Sequence, residues 1–262
     1  MPAPRSRAQR AAVTVPAPGG RTCRARGSLT RSAACLSAFF ISSSLAAPVA
    51  AEVGATVSLF SDDRFRGYSL SGGRPVAVLD FAYDNPSGFY AEASGTGVLQ
   101  NGDPSPFGFE LSGGYARRLR SGTTLDLGVT NSTYSHYSGS ESARSYAEIY
   151  AGISRGGLSS RFFFSPHYSE SGLWTAYGEV NGSVSPASKW SLDGHVGMLV
   201  PLKSPAGDER YRTAFDWRLG VSRELGPLSL HLSLNEGERG RIYYGDRSRR
   251  GRALVIGASC VL

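Results

Sequence analysis

The chain has 262 residues, a formal charge of +7 and a pI near 9.5, values that would suit an anionic partner. The excess sits entirely in residues 1–51, which hold seven arginines and no acidic residue; taking those 7 from 28 basic residues leaves 21 against 21 acidic ones, so the remainder is formally neutral and nucleic-acid binding is not indicated. Beyond that region the only cysteine is Cys260, which excludes an internal disulfide and a cysteine-built metal site, and no run approaches the roughly eighteen apolar residues of a helical membrane span.

Taken in order, the chain opens with Arg5, Arg7, Arg10, Arg21, Arg24, Arg26 and Arg31, then the apolar run Ala33 to Ile41 and small residues up to Ala51. This pattern predicts a secretory signal peptide over residues 1–51, cut after Val49 and Ala51 in the small-residue positions, with Glu52 as the first mature residue. The basic part is long for that role, which fits a true start downstream of Met1 better than an Arg-rich organelle transit peptide.

From Val53 onward the apolar residues alternate with a period of two, as strands require. Twelve strands are expected near Val53 to Ser61, Pro75 to Asp84, Gly88 to Val98, Phe107 to Arg118, Thr124 to Ser135, Ser145 to Ser154, Leu158 to Tyr168, Trp174 to Ser185, Lys189 to Leu199, Tyr211 to Arg223, Leu228 to Asn235 and Arg252 to Leu262. Each is close to the length that crosses a bilayer when tilted. Connections after the even strands are tight and rich in turn residues: Asn85-Pro86-Ser87, Arg120-Ser121-Gly122, Arg155-Gly156-Gly157, Pro186-Ala187-Ser188 and Gly226-Pro227. Those after the odd strands are mostly longer and polar, notably Asp62 to Arg74, Leu99 to Pro106, Lys203 to Arg210 and Glu236 to Gly251. Short and long connections that alternate in this way predict an all-β, antiparallel up-and-down transmembrane barrel over residues 52–262, with both termini in the periplasm. A soluble periplasmic β-sandwich also alternates. It would carry more lysine and glutamate on its exposed faces, where this chain has only Lys189 and Lys203.

The run Ser61-Asp62, Phe65-Arg66-Gly67-x-Ser69, Pro75 and Ser87-Gly88-Phe89-Tyr90 resembles the start of the TorF family of porins, Gram-negative outer-membrane proteins. The resemblance covers about the first third of the mature chain. It implies an outer-membrane location and a transport role, with Arg66, Gly67 and Ser69 as family-motif positions. Members often end in an aromatic residue, whereas this chain ends Cys260-Val261-Leu262. For Arg66 two readings stand: an ion pair at the rim beside a glycine of special backbone conformation, or a place at a solute entrance.

In such a barrel the apolar face meets hydrocarbon and the ionisable residues line the lumen. The expected lining is Asp80, Glu92, Glu110, Asp126, Glu148, Arg161, Glu179, Asp193, His195, Arg212, Asp216, Arg218 and His231. Acid outnumbers base, which predicts a weakly cation-selective passive channel for small hydrophilic solutes. Cross-lumen pairs of Glu179 or Asp193 with Arg161, Arg212 or Arg218 would narrow it, and a salt-bridged, non-conducting barrel is the alternative. Aromatic girdles are expected from Phe89, Tyr115 and Trp190 at the tight-turn end and from Phe107, Trp174 and Tyr211 at the other.

No cofactor is expected. His195 and His231 lie on inward positions one strand apart, roughly 10 Å at the usual strand spacing, too far for simple shared ligation of a metal. A lipid-processing enzyme would need a serine nucleophile at the outer wall or rim with a base and an orienting group, and the Ser135-His136 pair has no evident third member, so no catalytic residues are assigned. Expected partners are outer-membrane lipids, small solutes and lipopolysaccharide phosphates, the last through Arg247, Arg249 and Arg250 of the final long loop.

Overall fold

A computed structural model describes residues 51–100, 103–134, 144–205, 211–237 and 251–262. The signal-peptide expectation, and with it residues 1–50, lies outside them. The described chain runs through β1 (Glu52–Phe60), β2 (Arg64–Phe65), β3 (Tyr68–Ser69), β4 (Val76–Asp84), β5 (Phe89–Gln100), β6 (Asp103–Arg118), β7 (Thr124–Tyr134), β8 (Arg144–Arg155), β9 (Leu158–Ser165), β10 (Trp174–Ala187), β11 (Trp190–Lys203), β12 (Ala214–Leu225), β13 (Leu228–Gly237) and β14 (Ala253–Val261). No helix occurs among the described residues. Twelve strands close into an antiparallel barrel in chain order, and β2 and β3 form a separate hairpin in the loop between β1 and β4.

The alternation expected from the sequence sorts side chains cleanly across the wall. Val53, Leu127 and Leu219 point outward and are 72%, 62% and 60% exposed, while their neighbours in sequence turn toward the lumen. An outer surface so uniformly apolar would be a liability in water and is the expected face of a wall set in hydrocarbon. Closure also gives every wall strand two partners, which removes the edges that an open sheet leaves exposed.

Tight turns occupy one end. At Asn85 the side-chain oxygen accepts from Ser87 N at 2.9 Å and Ser87 Oγ at 2.6 Å, and Gly88 follows with φ 102°. Glu52 is paired with Asp84 and Val261 with Thr56, so both ends of the barrel domain lie at this tight-turn end. The β1 and β14 ladder is the shortest in the wall, running only from Thr56↔Val261 to Phe60↔Gly257. Just past it, Ser61 N donates to Ile256 O at 2.8 Å and Ile256 N to Ser61 Oγ at 3.0 Å.

Four local expectations need correction. Leu99 to Pro106 is not a long loop: β5 and β6 continue pairing to Gln100↔Asp103, across a bulge at Thr96 and Gly97. That bulge turns Phe107 inward, where it is buried against Tyr134 at 5.9 Å and does not join a girdle. The β10–β11 turn falls at Ser188 and Lys189 (φ 66°), because β10 runs on to Ala187. Tyr211 precedes β12 and is half-buried, with its hydroxyl donating to Glu170. The remaining girdle residues face out, with Phe89 and Tyr115 in contact at 5.1 Å and Arg223 stacked over Trp190 at 5.0 Å.

Candidate functional site

Twelve of the thirteen residues expected in the lumen occupy inward positions of the wall: Asp80, Glu92, Glu110, Asp126, Glu148, Arg161, Glu179, Asp193, His195, Asp216, Arg218 and His231. Arg212 does not. It is exposed and precedes β12, so it lies off the wall altogether. The missing positive charge is supplied from a place that strand periodicity could not indicate, the loop between β1 and β4.

That loop folds inward as the β2–β3 hairpin, tipped by Arg66 (φ 49°) and Gly67 (φ 77°). Two successive positive φ values make this the kind of two-residue turn whose twist matches its strands. Gly67 is required there twice over. An L side chain resists such a φ, and a Cβ would stand 2.4 Å from Gly237 Cα. Below the tip, Asp62 organises the base: Oδ1 accepts from Ser69 Oγ at 2.5 Å, Ser71 Oγ at 2.9 Å and Gly73 N at 3.2 Å, and Oδ2 accepts from Arg64 Nε at 2.8 Å. Arg64 Nη1 also donates to Gly67 O at 3.1 Å and to Gly251 O at 2.9 Å. The motif residues Asp62, Phe65, Arg66, Gly67 and Ser69 thus build one small device.

The device reaches across the lumen. In the ring of strands, β9 and β10 lie opposite the adjoining pair β1 and β4, from whose connecting loop the hairpin springs. Arg66 Nη2 donates to Glu148 Oε2 on β8 at 2.8 Å, and Nη1 donates to Tyr168 Oη, in the loop after β9, at 2.8 Å. The guanidinium carbon sits 3.9 Å from the centre of the Tyr177 ring, 4.8 Å from Phe65, 5.2 Å from Tyr168 and 5.4 Å from Phe163. Burial works against the charge of Arg66, but the Glu148 carboxylate beside it more than offsets that and holds its pKa well above the ordinary arginine value. Burial likewise pushes the Tyr168 phenol well above its usual range, so it meets the guanidinium as a neutral acceptor.

Toward the tight turns the lumen is braced by the wall itself. Arg161 on β9 pairs with Asp126 on β7 and lies over the Tyr150 ring at 4.5 Å, and Tyr90 Oη donates to Asp126 Oδ1 at 2.5 Å. Arg218 meets Asp193 at 3.2 Å, one of the anticipated pairs, whereas Glu179 accepts from Asn181 at 3.1 Å. His195 is fixed at both nitrogens, Nε2 to Asp216 at 2.8 Å and Nδ1 to the Asn181 side-chain oxygen at 2.8 Å. Tyr177 Oη reaches the same Asp216 at 3.2 Å, so Arg66's aromatic seat and the histidine share one network.

The two histidines are further apart than strand count alone suggests. His195 is level with Arg218 and His231 with Ser222, four residues along β12, which adds roughly 13 Å at about 3.3 Å per residue. Among the described residues no three His, Cys, Asp or Glu side chains gather in a metal-binding cluster. His231 Nε2 lies 2.7 Å from Ser259 Oγ, a pairing that no sequence spacing announced because β13 and β14 bring it together. Ser259 is buried and faces inward, away from any lipid bond. Ser135 and His136 lie outside the described residues, as do Arg247, Arg249 and Arg250.

A closed wall of this size, apolar outside and charged within, is the architecture of an outer-membrane barrel. The chain belongs to the Gcw_chp family, described as a bacterial protein of unknown function, whose pattern matches residues 45–250. No curated protein matches the sequence. Among solved structures the fold is similar to the NanC porin, with a TM-score of 0.53 and 11% identity over 79% of this chain and 98% of that one. The KdgM porin follows at a TM-score of 0.48 and 9% identity over 79% and 98%, and LpxR from Salmonella typhimurium at 0.42 and 9% over 80% and 99%. At 11% identity the likeness to NanC shows the fold alone, that of an outer-membrane porin barrel, and names no solute.

Proposed function

We propose that this protein is a porin-like passive channel of the outer membrane for small hydrophilic solutes, with its tight turns and both ends of the barrel domain in the periplasm. The observation that carries the reading is the lumen's chemistry. Charged side chains line the inside of a wall whose outside is apolar, and such groups are sustained where water or a partner can solvate them. The resemblance of the Ser61 to Tyr90 motif to TorF porins supports the same reading. Among the lining residues named above eight carboxylates stand against Arg161 and Arg218, and Arg66 of the hairpin and the half-buried Arg144 join the positive side, an excess that still favours cations weakly. In this reading the β2–β3 hairpin is the constriction. The arginine-rich segment after β13 would meet lipopolysaccharide phosphates, so glutamine at positions 247, 249 and 250 should lower the lipopolysaccharide that co-purifies; unchanged retention counts against that contact.

A second reading has one observation in its favour: the hairpin spans the lumen and is bonded to the far wall, as a structural barrel with a permanent plug would require. Planar-bilayer recordings on refolded protein separate the two. The channel reading expects single-channel current in the wild type, a larger one in Arg66→Ala, and a reversal potential of cation sign across a salt gradient. Silence from both proteins, each shown to be folded, would establish the plugged barrel.

A further inference from the structure

The surroundings of Arg66 are built as a receptor. A carboxylate, a phenolic hydroxyl and the face of an aromatic ring converge on one guanidinium, and three of those elements come from strands or loops on the far side of the lumen from the residue they hold. Cations bound over aromatic faces and against a desolvated carboxylate are recognised by geometry as well as by charge, and the planar fork of a guanidinium satisfies both.

Arg66 does not fill the seat completely. It gives Glu148 a single hydrogen bond, through Nη2 to Oε2, and spends Nη1 on Tyr168. Arg66 Nε and Glu148 Oε1 are both buried and make no hydrogen bond among the described residues. Buried polar atoms without partners are costly, and this donor and acceptor, on the two residues of one ion pair, call for an explanation. The tether supplies one. Arg66 hangs from a turn at φ 49°, so the hairpin dictates its angle of approach and a two-point contact with Glu148 is not made. A guanidinium that arrives untethered is under no such constraint.

We propose that the Glu148–Tyr168–Tyr177 seat is a binding site for guanidinium-bearing solutes, and that Arg66 is its built-in competitor. This rests on the channel reading for its biological sense, since it names the class of solute that would displace the hairpin and pass. The chemistry of the seat stands apart from conduction. A solute carrying a guanidinium takes the carboxylate through two N–H donors, reaches the vacant oxygen of Glu148, and releases the hairpin tip from the far wall. Small inorganic cations, lacking a flat face to lay on Tyr177 and donors for the orphaned oxygen, gain little there.

The test uses ethylguanidinium as the probe and calorimetry on the refolded full chain in detergent, so it reads binding and not current. Arg66→Ala should bind ethylguanidinium saturably, and the wild type should bind it at least about tenfold more weakly, the penalty expected when the seat is free in a tenth of the molecules or fewer. Arg66→Ala combined with Glu148→Gln should show no saturable heat, and potassium none in any of the three. Absence of binding to a folded Arg66→Ala barrel, or equal binding to it and to the wild type, overturns the proposal whether or not the barrel conducts. Should Arg66→Ala not refold, chymotrypsin, whose apolar specificity pocket does not take a guanidinium, decides on the wild type alone. Millimolar ethylguanidinium should speed cleavage after Phe65 or Tyr68 of the hairpin, and unchanged protection there overturns the proposal.

Discussion

Arg66 and Arg161 make the same kind of assembly in one lumen: a guanidinium against a carboxylate, with an aromatic ring beneath it. They are delivered differently. Arg161 springs from the middle of β9 and its partners Asp126 and Tyr150 sit on the next two strands, so every member is held by the wall's own ladder. Arg66 comes from a two-residue turn and crosses to strands opposite its origin, so its pair is held only as firmly as the hairpin. One chemistry therefore serves as a brace where both partners share a rigid frame, and as a latch where one partner rides on a loop.

The difference is broken most strongly on the brace side. Arg161→Ala leaves Asp126 buried without its cation, a change expected to cost about 3–5 kcal/mol, seen as a lower urea midpoint for the fast-migrating folded band in unboiled SDS gels. A loss below about 1 kcal/mol would mean that Arg161 braces nothing. On the latch side Gly67→Val should be smaller and confined. The Cβ conflicts with Gly237 and the backbone conformation is disfavoured, about 1–3 kcal/mol of local strain, so the hairpin should become open to trypsin while the barrel's urea midpoint stays in place. A matched drop in both would show that hairpin and wall unfold as one. The mildest change is Asp62→Asn, which keeps an oxygen for Ser69 and Ser71 but gives up the ion pair with Arg64. About 1 kcal/mol of hairpin order should go, read as roughly fivefold faster tryptic cleavage of the hairpin; cleavage at the wild-type rate would assign the anchoring to Ser61 and Arg64 contacts instead.

The wall was open to sequence reading because one physical rule governs it. A strand between lipid and lumen must alternate, so Leu228, Leu230, Leu232 and Leu234 declare the outside, and Asp216 and Arg218 the inside, without reference to any other strand. Where that rule lapses, so did the reading. Tyr211 and Arg212 continue an alternating pattern past the strand's true start at Ala214, and the bulge that turns Phe107 inward depends on pairing with β5, which a single segment does not reveal. Arg66 is the instructive case. Its sequence context marks a turn and a carboxylate partner, but which carboxylate, and on which side of the lumen, is decided by the curvature that carries β8 around to face β1. The same holds for His231 and Ser259, brought together by strand register alone.

The short ladder between β1 and β14 gives the hairpin a second meaning. A ring of strands remains a line until its two ends meet, and here they meet over Thr56 to Phe60 and Gly257 to Val261, the least extensive junction in the circle. The chain then continues the junction by other means. Ser61 exchanges two hydrogen bonds with Ile256, and Arg64, already clasped by Asp62, takes the carbonyl of Gly251. The root of the hairpin is therefore a clasp sewn across the last gap to close. The contacts that fasten the circle and those that root the hairpin adjoin one another, so the loop that narrows the lumen is anchored at the seam of the wall.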